Sequence, residues 1–140
     1  MGALSRRKGA GFEREAAAEL RRVWPEAKRG LGQARDASEV PDVEGTPFWP
    51  ECKRGKRVNI RAAIAQALEA SKADGRPVLV VSREDGREAL ATLRLCDFLD
   101  MAAKLERLEA FAAKTLAQVA SQPPTQAQPA PPSAPGPARG

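Results

Sequence analysis

Histidine and tyrosine are both absent from the 140 residues of this chain. Without histidine, Ser-His-Asp hydrolases, nucleases that bind metal through imidazole and the common zinc enzymes are excluded. Without tyrosine, strand cleavage through a phosphotyrosine link is excluded too. Acid–base or metal chemistry must then fall to Asp, Glu, Lys or water. Cysteine is almost missing: Cys52 and Cys96 are too few for a disulfide framework or a zinc site, and read as buried free thiols in apolar, strand-like surroundings. Aromatic residues are limited to two Trp and four Phe, so aliphatic side chains must fill one modest core, and Trp24 and Trp49 read as packing residues. No run of eighteen apolar residues occurs, so no membrane span is expected. The basic residues 1–8 are not followed by the apolar stretch of a signal peptide. A cytoplasmic protein, in a bacterial or phage-infected cell, is the expectation.

Positive charge is present in excess, at a formal net charge of +5, and its placement carries more information than its size. Residues 1–35 hold nine Lys or Arg against four Glu. Residues 53–61 hold Lys53, Arg54, Lys56, Arg57 and Arg61 with no acid. Two basic clusters on either side of an acidic pair point to a polyanionic partner, against the plainer alternative of two solvated faces.

Periodicity divides the chain into eight elements and a tail. Residues 5–24 read as a helix, with Ser5 as N-cap, an apolar stripe of Phe12, Ala16, Leu20 and Val23, and a stop at Trp24-Pro25. A short edge strand is read near residues 27–31. Residues 40–53 read as a hairpin of strands 40–44 and 48–53 around Gly45-Thr46-Pro47, with Pro50 making the second strand irregular or an edge. Asn59 caps a helix over 60–72 whose inward stripe is Ile60, Ile64, Ala67, Leu68 and Ser71, and Gly75 ends it. Residues 77–82 form a buried strand, Glu84-Asp85-Gly86 a turn, and residues 88–95 the last strand. Asp97 caps a final helix through Leu105. Beyond it the series Leu105, Leu108, Ala112, Leu116 and Val119 marks a core or dimer helix, with Glu106 and Glu109 on its solvated face. The expected architecture is α/β, a mixed central sheet flanked by helices. No internal repeat is present.

Chemistry concentrates in Pro41-Asp42-Val43 and, eight residues later, Glu51-Cys52-Lys53. Alternation along a strand points Glu51 and Lys53 to one side and Cys52 into the core. A hairpin would set Asp42 beside Glu51, so that two carboxylates and an ammonium share one patch. Adjacent carboxylates repel and call for a cation. Hard oxygen donors select Mg²⁺, with Mn²⁺ as a substitute, over zinc. Such an ion polarises a phosphoryl oxygen, and Lys53 would hold the attacking water or stabilise the charge that develops on phosphorus. The plainer alternative is a half-exposed hairpin with ordinary surface charges.

The stretch Lys8-Gly9-Ala10-Gly11-Phe12-Glu13-Arg14-Glu15, then Lys28-Arg29 before a Gly- and Ser-containing loop, then the two motifs above, resembles the PD-(D/E)XK nuclease superfamily, and within it the Holliday junction resolvases of archaeal and phage type. The likeness runs from residue 5 to about residue 100. It implies a restriction-endonuclease-like fold and a Mg²⁺-dependent endodeoxyribonuclease that cuts four-way DNA junctions in recombination and repair as a homodimer, with no organic cofactor. It further implies that Asp42, Glu51 and the Cys52 carbonyl bind the metal, that Glu13 joins them directly or through water, and that Lys53 is catalytic. Arg14 and Arg29 would contact phosphate, with Arg35 as an alternative to Arg29, and Ser38 stands where the family often has a serine. The basic clusters Arg6, Arg7, Lys8 and Arg54, Lys56, Arg57 would grip phosphates flanking the cut. Gln66 stands where many relatives place a glutamine, although its margin position on the helix reads as solvated. The alternatives are a nuclease of the same superfamily for flaps, ends or duplex DNA, a DNA-binding module with a structural acidic pair, and a scaffold that works through its tail.

The domain reading is a nuclease domain over 1–104, a helical extension over 105–120 and a tail over 121–140. The tail has seven Pro among twenty residues together with Ala, Gln, Ser and Gly, a composition that builds no core and is expected to be disordered. A chain ending near Ala120 is therefore expected to unfold with the same urea midpoint as the full chain. A lowered midpoint would show that the tail packs.

Overall fold

The structure, a computed structural model, describes residues 2–31 and 39–121, with side-chain surroundings from Gly9 onward. Arg35, Ser38 and all of the tail after Ser121 lie outside the described residues. Eight elements follow in the order α1 (Gly2–Leu20), β1 (Lys28–Arg29), β2 (Val43–Glu44), β3 (Trp49–Gly55), α2 (Ile60–Ala70), β4 (Val78–Glu84), β5 (Ala89–Thr92) and α3 (Leu95–Ser121). The fold is mixed α/β. The chain divides into a unit Met1–Met101, which holds both sheets, and a unit Ala102–Gly140, whose described part is the remainder of α3. No helix among the described residues is long and apolar enough to cross a membrane.

A three-stranded sheet in the order β3-β4-β5 forms the centre. β3 and β4 run parallel, with Glu51 opposite Val80 and Lys53 opposite Ser82, and α2 is the crossover that a parallel pair needs. β5 returns antiparallel along β4. Alternation along β3 and β4 sends side chains to two faces. On one face Trp49, Val78 and Val80 pack with Ala63 and Ala67 of α2, flanked by Ile60, Ile64 and Leu68. On the other, Cys52 and Val81 pack against Ala16, Ala17, Ala27 and Val43. Alanines at the helix contacts let both helices approach the sheet closely, which compensates for the shortage of large aromatics.

Several elements differ from the sequence reading. α1 begins at Gly2, so Ser5 lies within it and is no cap. It ends at Leu20, and the chain then turns with the Trp24 amide donating to the Leu20 carbonyl at 2.9 Å. Val23 is exposed by that turn, at 68%, and leaves the stripe. The edge strand near 27–31 is only Lys28–Arg29. Residues 40–53 are not a hairpin ladder: β2 pairs antiparallel with β1, while β3 pairs with β4. Pro50 explains the choice, since it has no N–H to offer a full second ladder and sits on the edge of the sheet, as its chemistry requires. α2 stops at Ala70 and buries Ala63, which the stripe omitted. Asn59 does cap it, accepting from the Ala62 amide at 3.0 Å. Glu84 belongs to β4 and the last strand shortens to Ala89–Thr92. α3 starts at Leu95 with Asp97 in its first turn, held by Arg94 at 2.7 Å rather than capping. Cys52 is half-buried, but Cys96 is exposed. None of the α3 residues is buried, so the Leu105-to-Val119 series is not core.

Two contacts fix the segment before β3. The Gly30 amide donates to the Asp42 carbonyl at 2.8 Å, and Gly30 is buried with the Pro41 carbonyl occupying the place where a Cβ would stand. Arg76 donates through Nη1 to the carbonyls of Thr46 (3.1 Å) and Phe48 (3.0 Å) and lies over the Trp49 ring, tying the turn ahead of β3 to the loop ahead of β4. Gly30→Ala must push the Pro41-Asp42 backbone away and is expected to cost about 1–3 kcal/mol, the scale of overpacking a tight site. Urea unfolding measures this. An unchanged midpoint would show that β1 does not fix the position of Asp42.

Candidate active site

Asp42 lies just before β2, half-buried, alongside the free edge of β3. Its amide donates to the Pro50 carbonyl at 3.0 Å, and its Oδ2 accepts from the Cys52 amide at 2.7 Å. One backbone bond and one side-chain bond thus replace the strand pairing that a hairpin would have made. Glu51 and Lys53 project from β3 on the α2 side. Glu51 is buried, at 8%, with its Oε1 2.6 Å from Lys53 Nζ. The ammonium also donates to Gln66 Oε1 on α2 at 3.2 Å. Glu13, from α1, is held by Arg29 of β1 at 2.5 Å. Each carboxylate therefore gives one oxygen to a protein donor: Asp42 Oδ2, Glu51 Oε1 and Glu13 Oε2.

These groups share one electrostatic neighbourhood centred on Cys52. Burial raises the Asp42 carboxyl from the usual carboxylate range to about 6, against the lowering effect of the Cys52 amide. The charges of Glu51 and Glu13 raise it further, and Lys53 offsets part of that. Burial likewise pushes the Cys52 thiol well above its ordinary range, reinforced by Asp42, Glu13 and Glu51. Cys52 is therefore a neutral packing residue at neutral pH and no nucleophile.

The residues expected to act together divide into two groups. Glu51 pairs with Lys53, Asp42 is bonded to the Cys52 amide between them, and Glu13 lies within electrostatic range of Asp42 and Cys52. Arg29, expected at phosphate, instead faces Glu13. Arg14 is exposed on α1, and Lys56 and Arg57 are exposed after β3. Arg54 does not join them: strand alternation turns it to the α1 face, where it lies 3.8 Å from both Glu15 and Asp85. Arg83 crosses the same face to Glu15 and over the Phe12 ring. Arg6, Arg7 and Lys8 lie on the first turns of α1, without described side chains. Gln66, read as solvated, touches Lys53. The signal for it was spacing, because α2 packs Ala63 and Ala67 on β3, and a residue between them reaches the end of the strand. Among the described residues, no three His, Cys, Asp or Glu are grouped closely enough to form a ready-made metal cage.

Comparison with protein-family models, with curated proteins and with solved structures gives no match in any of the three. The site is thus interpreted from its own chemistry.

Because the folded state raises the Asp42 pKa to about 6, it binds that proton more tightly than the unfolded chain does. The resulting stability is fully present below the ordinary carboxylate pKa and is lost as pH rises to about 6. Across that window the wild type is expected to lose roughly 2–3 kcal/mol relative to Asp42→Asn, at about 1.4 kcal/mol per pKa unit. Urea unfolding of both proteins at several pH values between 4 and 7 measures this. A difference that stays flat with pH would show that burial and the acidic neighbours do not disfavour ionised Asp42 in the folded state.

Proposed function

We propose that this chain is a Mg²⁺-dependent DNA endonuclease with a restriction-endonuclease-like fold, and that its substrate is the four-way junction. The observation that carries the reading is Asp42 bonded to the Cys52 amide beside the Glu51–Lys53 pair on β3, with Glu13 within electrostatic range. Magnesium is typically held by one or two carboxylates together with waters and substrate phosphate. A pair of carboxylates with an oxygen each to spare fits that habit, whereas a closed protein cage does not. Asp42 and Glu51 would hold the ion, with the Cys52 carbonyl as a further oxygen and Glu13 direct or through water. When bound, Mg²⁺ would polarise the phosphoryl oxygen and lower the pKa of a water.

The chain's own residues have distinct parts in this reading. The Cys52 amide fixes the Asp42 carboxylate, leaving Oδ1 as the oxygen to offer. Gln66 holds Lys53 Nζ on the α2 side of the strand, within reach of the Glu51 carboxylate, where its charge can meet the negative charge growing on phosphorus. Arg29 orients Glu13. Arg14, Lys56 and Arg57 are free to meet phosphates, and the excess of basic residues favours a polyanion generally. The homodimer, recombination and repair belong to the same proposal.

One observation favours a second reading. Glu51 and Glu13 each have a protein cation within 2.6 Å, as in a DNA-binding module whose acids are structural. Cleavage of a labelled four-way junction against linear duplex, with and without Mg²⁺, separates the readings. The expected outcome is Mg²⁺-dependent nicking of the junction that is abolished in Asp42→Asn and Glu51→Gln. Lys53→Ala should slow turnover by ~100-fold, with a much smaller change in affinity. Binding without cleavage under all conditions would leave the non-catalytic module. Cleavage of duplex or flaps in preference to junctions would keep the nuclease and remove the junction.

A further inference from the structure

α3 runs for 27 residues, and a row of its large apolar side chains is exposed: Phe98 at 48%, Met101 at 41%, Leu105 at 56%, Leu108 at 57% and Val119 at 64%. Water does not reward such a row, and a helix held in solution with one gains stability when the row is covered. The row has a period. Phe98, Met101, Leu105, Leu108, Ala112, Thr115 and Val119 are spaced by alternating steps of three and four, which are the a and d positions of about three heptads. In this register Lys104 and Phe111 occupy g positions, and Glu109 and Leu116 occupy e positions.

The flanking positions specify the partner. In a parallel pair of identical helices each g residue faces the e residue five places further along the other copy. Lys104 then meets Glu109 of the second copy, and Phe111 meets Leu116, each twice by symmetry. Charge meets opposite charge and apolar meets apolar. An antiparallel pair matches g with g and e with e, and from Ala102 onward it brings no opposite charges together. The other charged residues of this stretch, Glu106, Arg107 and Lys114, occupy b and c positions, away from the seam. Ala112 and Thr115 make its middle narrow and weak, so the association is expected to be reversible.

We infer that α3 is the interaction surface for a second copy of this chain, through a parallel two-stranded coiled coil with its seam from Phe98 to Val119. The inference rests on α3 alone and holds whether or not the chain cleaves DNA.

Sedimentation equilibrium of the full chain tests it. The expected result is a concentration-dependent dimer. Leu105→Glu with Leu108→Glu should give a monomer whose urea unfolding, followed by Trp24 and Trp49 fluorescence, is unchanged. Lys104→Glu alone sets glutamate against Glu109 and should weaken the dimer by roughly three- to tenfold, on the scale of exposed ion pairs. Lys104→Glu combined with Glu109→Lys should restore it. Orientation has its own readout. Val119→Cys in a Cys96→Ser background, in a buffer of oxidised and reduced glutathione, should form a disulfide between copies, because a parallel seam sets residue 119 against itself. A chain that stays monomeric at every concentration overturns the inference. So does a dimer that survives the Leu105/Leu108 change, a double charge exchange that fails to restore association, or a position-119 thiol that does not cross-link.

Discussion

The hydrogen bond from the Cys52 amide to the Asp42 carboxylate, at 2.7 Å, is the interaction around which the site is arranged. β3 has one edge paired to β4 and another that would otherwise present bare backbone groups. Asp42 closes that edge by its own amide at Pro50 and its side chain at Cys52. The carboxylate is thereby fixed relative to a strand whose next-facing residues are Glu51 and Lys53. Gly30 and the two-residue pairing of β1 with β2 hold Asp42 from the other side. Backbone geometry, rather than attraction among the side chains, puts the acids together.

That arrangement gathers like charge, and the structure balances it locally. Lys53 faces Glu51 and Arg29 faces Glu13, whereas among the described residues Asp42 meets a backbone amide and a more distant ammonium. It is the carboxylate whose ionised form is disfavoured, through burial first and its acidic neighbours second. Burial of a charge without a partner is costly unless the group takes up a proton or a cation arrives.

Which parts of this were legible in the sequence depended on the range of the interaction. Asn59 as a helix cap and Pro50 at an edge follow from one residue's own chemistry, and the fold has them where the sequence placed them, whereas α2 stops at Ala70, short of Gly75. Glu51 and Lys53 on one side of a strand follow from a period of two. Partner choice was not legible. Residues 40–53 have the pattern of a hairpin, but whether β3 bonds to β2 or β4 depends on which neighbour can satisfy more of its backbone, and each β4 partner lies 29 residues beyond the β3 residue it pairs with. The direction of Arg54 and the contact of Gln66 with Lys53 follow from that same parallel register and from α2 crossing over it.

α3 shows the same limit in the opposite sense. Its heptad spacing is written in the sequence, and so is the position of Glu109 five residues after Lys104. Periodicity states that a face is apolar but not whether the same chain covers it. The sequence alone determined the residue types available for chemistry, the absence of imidazole and phenol, the Asn59 cap of α2, and the spacing of Asp42, Glu51 and Lys53. Tertiary structure decided which strand β3 would pair with, that Arg29 and Gln66 would hold Glu13 and Lys53, and that among the described residues none of α3 would be buried. The reason is physical: local propensity acts over a few residues, whereas backbone satisfaction and burial are settled only among all the elements that compete for the same edge or face.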